Sequence, residues 1–146
     1  VRKTVLIING PNLSLLGSRE PDIYGKETLK DIEEMISSMA EDLKADMLFF
    51  QSNVEGEIVN KIIEEKDRVD GIIINAGAYT HTSVAIPDAI KATESTAVEV
   101  HLSNIYRREI ERHTSLLSAA CIGQISGFGA NSYLLALRAL INELNK

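Results

Sequence analysis

The stretch from Asn9 to Gly25, N-G-P-N-L-S-L-L-G-S-R-E-P-D-I-Y-G, holds the residue types with the sharpest chemical consequences. Asn12, Arg19 and Tyr24 lie on a long loop after the apolar run Val5-Leu6-Ile7-Ile8, which reads as a buried strand. In nucleotide-binding α/β proteins the same loop is glycine-rich and cradles phosphate. This one is not. A cation close to a phenol favours the phenolate, because it stabilises the charged form. Tyr24 is thus a candidate base and Arg19 its activator. The competing reading is a packing tyrosine with its hydroxyl in water, since an unperturbed phenol titrates at about 10.

Glu99 and His101 sit two apart on a second apolar run, so on a strand their side chains leave the same face. A carboxylate beside an imidazole fixes its tautomer and stabilises its protonated form, which suits His101 to general-acid work. A purely structural hydrogen-bonded pair fits the same spacing. His81 could bind a hydroxyl or carboxylate, or cap the helix that follows. The Asn75-Ala76-Gly77-Ala78 turn could offer N–H groups to a carboxylate, or be a plain connection. Arg107, Arg108 and Arg112 read equally as an anion-binding cluster and as a solvated basic patch, while His113 reads as surface or interface. Three scattered histidines make no recognisable metal motif, so no metal is expected.

These residues need a scaffold that brings them together. Thr28 and Asp31 resemble a capping box, followed by Leu29, Ile32, Ile36, Met39 and Leu43 at helical spacing. Met47 to Phe50 reads as a second strand. Ser52 and Glu55 suggest a cap for a helix whose stripe is Ile58, Val59, Ile62 and Ile63. Strands are expected at Gly71–Asn75, at Ala97–Leu102 and near Cys121–Ser126. A helix should cover Ser83–Thr93 with Pro87 near its beginning. The last helix should start near Asn131-Ser132 and bury Leu134, Leu137, Ile141 and Leu144. Strands alternating with helices predict a three-layer α/β fold with a five-stranded parallel sheet and helices on both faces. The flavodoxin-like order 2-1-3-4-5 fits five strands in 146 residues. Ligands bind such sheets beyond the carboxyl ends of the strands, so Asn9, Asn12, Asn75, His101 and Ser103 should face one crevice.

The length suits one domain, residues 1–146. A net charge of −6 argues against a nucleic-acid partner, although a few arginines can still dominate a cleft. No run suits a membrane span, and the apolar run after Arg2-Lys3 is too short for a signal peptide. The lone Cys121 reads as an inert core thiol in a reducing compartment. A cytoplasmic location is the default expectation.

Taken together, N-G-P-N-L at 9–13, R-E-P-x-x-Y-G at 19–25, N-A-G-A-Y-T-H-T-S at 75–83 and E-V-H-L-S-N at 99–104 resemble the motifs of the type II 3-dehydroquinate dehydratases. The resemblance covers nearly the whole chain. It implies a cofactor-free lyase of the shikimate and quinate pathways that converts 3-dehydroquinate to 3-dehydroshikimate by anti elimination through an enolate. It implies Tyr24 as base on a mobile lid at about residues 17–26, with Arg19 keeping it ionised. Asn12 would hold a water that stabilises the enolate, and His101, oriented by Glu99, would protonate the departing hydroxyl. The substrate carboxylate would bind Asn75 and the N–H groups of Leu102 and Ser103, and His81 and Arg112 would grip the ring hydroxyls. It further implies trimers in which Asp88 completes a neighbour's site, four of them forming a dodecamer. The chain departs from the family pattern at Pro87, Tyr106, Arg107, Glu111, Leu116 and Asn131-Ser132, and keeps every implied catalytic position.

Other classes fit less of the chain. A receiver domain needs acidic residues after strand one and an aspartate ending strand three, where this chain has Asn9-Gly10 and Asn75. A flavin or dinucleotide binder needs a phosphate loop that Asn9–Leu16 lacks. A purely structural protein leaves the polar strand ends unexplained.

Overall fold

The computed structural model describes all residues, Val1–Lys146. Five parallel strands form one sheet: β1 (Lys3–Asn9), β2 (Ala45–Gln51), β3 (Gly71–Asn75), β4 (Ala97–His101) and β5 (Gly123–Ser126). Their order is β2-β1-β3-β4-β5, as expected. The chain reverses its winding between β1 and β3, which makes their carboxyl ends the switch point where ligands bind. Register aligns those ends, with Asn9 opposite both Gln51 and Asn75.

Strand alternation sorts the core into two layers. Val5, Ile7, Ile73, Val98 and Val100 pack under α2 (Leu29–Leu43) and α5 (Asn131–Leu144). Leu6, Ile8, Ile72, Ile74 and Ala97 pack under α3 (Glu55–Glu64) and α4 (Ala85–Ala92). The central strands are covered on both faces, which is why they read as continuous apolar runs. The same alternation sends Asn9 and Asn75 towards α5, and Glu99 and His101 towards the α4 side.

The Thr28 capping box forms in full, with the Thr28 side chain accepting from the Asp31 N–H and the Asp31 carboxylate accepting from the Thr28 N–H. The second cap differs. Val54, not Ser52, occupies the N-cap of α3. The Ser52 hydroxyl instead accepts from the Val54 N–H and donates to Glu57, because the chain needs an extra turn between β2 and the helix. Helix α4 is shorter than its pattern, with the Ser83 hydroxyl accepting from the Ile86 N–H at 3.0 Å in its first turn. Strand β5 starts at Gly123, so Cys121 precedes it. The buried face of α5 centres on Tyr133, Leu137, Leu140 and Ile141, leaving Leu134 and Leu144 at its margins.

Between β1 and α2, the chain makes a short helical turn, α1 (Pro21–Tyr24), entered through Glu20 and left through Gly25, both at positive φ. The β1 loop is pinned to β3 by the Gly10 N–H, which donates to the Asn75 carbonyl at 2.8 Å. A Cβ on Gly10 would lie 2.5 Å from the Ala76 carbonyl oxygen, so no side chain fits. Gly10→Ala must push the two loops apart. Overpacking of this kind costs about 1–3 kcal/mol, and urea unfolding should show a loss on that scale. Unchanged stability would mean that the loops are not held in this contact.

Candidate active site

Beyond the carboxyl ends of β1, β3 and β4 lies a cleft of about 550 Å³, counting its open mouth. Its lining includes Asn12, Arg19, Tyr24, Asn75, His81, His101, Leu102, Ser103 and Arg112. Nine of the expected site residues therefore come together, from segments spread over the whole chain. Glu99 lies directly behind His101. Asp88 does not join them: it is exposed on α4 and outside this cleft. Asn9 lies beneath the floor, buried at 1% exposure, because its side chain points into the α5 layer.

Tyr24 closes one side. The Arg19 guanidinium carbon lies 4.9 Å from its ring centroid, and that of Arg108 lies 5.1 Å away. Cations over the ring face are held by its quadrupole, so two positive groups converge on one phenol. Arg108 belongs to the cluster that sequence left undecided between anion site and solvated patch; Arg112 also faces the cleft, while Arg107 does not line it. The Arg112 side chain is steadied by Glu109, Nε to Oε2 at 2.7 Å. His113 is half-buried and holds this segment, donating from Nε2 to the Arg108 carbonyl at 2.8 Å.

Opposite stands His101, 5% exposed. Its Nε2 lies 2.5 Å from Glu99 Oε2, which leaves Nδ1 without a protein partner. Glu99 has no solvent exposure. Ser115 donates to both its oxygens at 3.0 and 2.9 Å, and Ser118 donates to Oε1 at 2.5 Å. Burial opposes the charge of Glu99, but the hydrogen bonds from His101, Ser118 and Ser115 outweigh it. The carboxyl therefore lies below its ordinary 4.5. The sequence offered no signal for the two serines, since nothing local links residue 99 to residues 115 and 118. Cys121 is near enough to feel that carboxylate. Burial and the Glu99 charge push its thiol up to about 12, so it stays protonated.

The floor is polar main chain and amide. Asn75 Oδ1 accepts from the Gly77 N–H at 3.1 Å, and Asn75 Nδ2 donates to the Tyr133 hydroxyl at 3.0 Å. The Gly77 N–H is thereby used internally, and the chain there forms a 3-10 turn (Gly77–His81), not the start of an α-helix. Leu102 and Ser103 follow β4, and their N–H groups find no main-chain carbonyl. His81 does not cap α4. Its Nδ1 donates to the Thr114 carbonyl at 2.9 Å, which turns Nε2 towards the cleft. Asn12 has φ 68, a left-handed backbone that Asn tolerates. Its N–H donates to Asn53 Oδ1 at 3.0 Å, a partner from the β2 end that sequence also missed. No three His, Cys, Asp or Glu side chains converge to hold a metal ion, and the cleft brings together a phenol, an imidazole, guanidinium groups and two main-chain N–H groups without a main-chain acceptor.

No helix is long and apolar enough to cross a membrane. The family model described as dehydroquinase class II matches residues 3–141. A 3-dehydroquinate dehydratase of Acaryochloris marina is 57% identical, covering 98% of this chain and 96% of its own length. One from Caldicellulosiruptor saccharolyticus is also 57% identical, over 94% of this chain and 96% of that protein. The crystal structure of the type II dehydroquinase from Butyrivibrio crossotus superposes with a TM-score of 0.93 at 42% identity, covering 95% and 97% of the two chains. That from Propionibacterium acnes gives 0.92 at 37% identity, covering 97% and 98%. With its sequence and its fold both agreeing over nearly full length, the chain belongs to the class II dehydroquinase family.

Proposed function

We propose that the cleft dehydrates 3-dehydroquinate by anti elimination, with Tyr24 as base and His101 as acid. Family membership carries the overall reaction, loss of water from 3-dehydroquinate to give 3-dehydroshikimate in the shikimate pathway. The assignment of roles rests on one observation. A phenol flanked by two guanidinium groups faces a cleft that also holds an imidazole backed by a buried carboxylate.

Tyr24, acting as base from between the Arg19 and Arg108 guanidinium groups, takes a proton from the carbon beside the ketone. The electron pair of that C–H bond moves onto the ketone oxygen as an enolate. Asn12 positions a water that donates to this oxygen, the electrostatic stabilisation that developing anions need. The enolate then re-forms the carbonyl, makes the new C=C bond and expels the hydroxyl. His101 gives that hydroxyl a proton, and it departs as water. Tyr24 ends protonated and His101 neutral, so one proton returns from the first to the second before the next turnover. Glu99 holds Nε2 and so fixes which ring nitrogen works. The free N–H groups of Leu102 and Ser103, with Asn75, take the substrate carboxylate, while His81 and Arg112 hold ring hydroxyls.

The segment at about residues 17–26 acts as a lid that carries Arg19 and Tyr24 over the bound ring. Copies of the chain assemble as trimers in which Asp88 reaches a neighbour's cleft, and four trimers make a dodecamer. The exposed apolar side chains Val84 and Ile110, at 62% and 76% exposure, support such an interface. The single thiol, held protonated, suits the reducing conditions of the cytoplasm.

Adding 3-dehydroquinate should produce the ultraviolet absorbance of a conjugated enone. Tyr24→Phe and His101→Ala should each lose at least about 100-fold in kcat, the scale of general acid–base groups. Near-normal turnover by Tyr24→Phe would overturn the base assignment while leaving the reaction standing. Light scattering should give the mass of twelve chains, and a monomer active at full rate would refute the shared site.

Glu99 also makes a prediction for stability. Its carboxyl is depressed in the folded state, so its contribution is complete above the ordinary 4.5 and disappears as pH falls through the lower folded value. Urea midpoints measured from about pH 6 down to about pH 3 should fall for the native protein. Ser118→Ala should shrink that fall and Glu99→Gln should remove its Glu99 component. Parallel curves for native protein and Glu99→Gln would show that the carboxylate is not held as described.

A further inference from the structure

Tyr133 lies 0% exposed on α5, yet its hydroxyl is the meeting point of two strand ends. It donates to Asn9 Oδ1 at 2.5 Å on β1 and accepts from Asn75 Nδ2 at 3.0 Å on β3. Asn9 and Asn75 are register partners whose side chains share the α5 face. A hydroxyl has one proton to give. Because that proton goes to Asn9, the Tyr133 oxygen can only accept from Asn75, and the Asn75 amide nitrogen must be the atom that faces it.

The other side of the amide is fixed as well, since Asn75 Oδ1 accepts from the Gly77 N–H. Both ends of the amide are thus committed, and one N–H of Nδ2 remains without a protein acceptor. We propose that Tyr133 is a positioning residue for substrate binding: its hydroxyl, through Asn75, aims that remaining N–H at the substrate carboxylate. Burial pushes the Tyr133 phenol well above its ordinary 10, only partly offset by the bond from Asn75, so it stays a neutral donor throughout the working pH range. The relay reaches no reacting atom. It rests on the reading of Asn75 as a carboxylate ligand given above.

The effect falls on binding, because the carboxylate is held equally in ground and transition states, and uniform binding is read in KM. Tyr133→Phe removes the hydroxyl and leaves the amide held only through the Gly77 N–H, so the aim of Nδ2 loosens. KM for 3-dehydroquinate should rise roughly tenfold, the scale of one weakened charge-assisted hydrogen bond, with kcat changed less than about threefold. Asn75→Ala should raise KM at least as much. In the double variant, Tyr133→Phe should add nothing further to KM, because its target is gone. Circular dichroism melts show whether each variant is folded at the assay temperature. Should Tyr133→Phe fail to fold, Asn9→Leu tests the relay from its other end and should raise KM by its own route through Tyr133. Unchanged KM in Asn75→Ala would sink the reading of Asn75 itself. A raised KM in Asn75→Ala with normal KM in Tyr133→Phe, or full additivity in the double variant, would sink the positioning role alone.

Discussion

A carboxylate with no access to water is the most demanding feature of this molecule, and much of the site follows from accommodating it. Burying an ionised group is costly unless it is hydrogen-bonded on every side. Glu99 sits mid-sheet on β4 with a core layer over it. His101 supplies one donor from the same strand, and the rest must come from outside it. Ser115 and Ser118 supply them, which obliges the chain after β4 to turn back over the strand. That return path carries Arg108 and Arg112 past the cleft mouth and presents the Thr114 carbonyl to His81. Ser115 also accepts from the N–H groups of Leu117 and Ser118, tying the loop to itself. The loop is shaped by the charge that it covers.

The sheet was legible because its physics is local. Central strands covered on both faces show as unbroken apolar runs, and Gly71–Asn75 is placed to the residue. The capping box at Thr28 is equally local, three residues apart, and it forms as read. Errors fall where two short-range choices compete. Ser52 has the right type for a cap but spends its hydroxyl on Val54 and Glu57 instead. On α5, counting leucines shifts the stripe by a residue, because the true centre is the aromatic Tyr133 rather than Leu134.

The site was legible in a different way. Residue type and strand-end position suffice to find Asn12, Asn75, His101 and Ser103, since the ends of a parallel sheet share one crevice. What supports them was not legible. Tyr133 is 124 residues from the Asn9 that it bonds, and the leucine stripe read for its helix passes it by. Ser115, Ser118 and Asn53 look like ordinary loop residues until the fold closes. Arg108 was visible in a cluster of arginines, but its place over Tyr24 depends on the path that Glu99 imposes. Supporting residues act by contact across the chain, and contact across the chain leaves no period in a sequence.

The two proton-transfer groups are held by different kinds of structure, and the proposed chemistry uses the difference. His101 ends a buried strand, with its Nε2 locked to a carboxylate that has two further donors, Ser115 and Ser118. Tyr24 ends a four-residue helical turn, half-buried against the edge of the core and flanked by two guanidinium groups at its ring. Those cations matter more than the net charge of −6 suggests, because short-range charges outweigh distant ones that salt screens within about 10 Å. An acid rooted in the sheet can hold its angle to the departing hydroxyl, as in-line proton donation requires. A base on a loop can withdraw to admit a charged ring and return once the carboxylate is seated. In the proposed mechanism the floor binds first, the loop brings the base, and the acid is already in place.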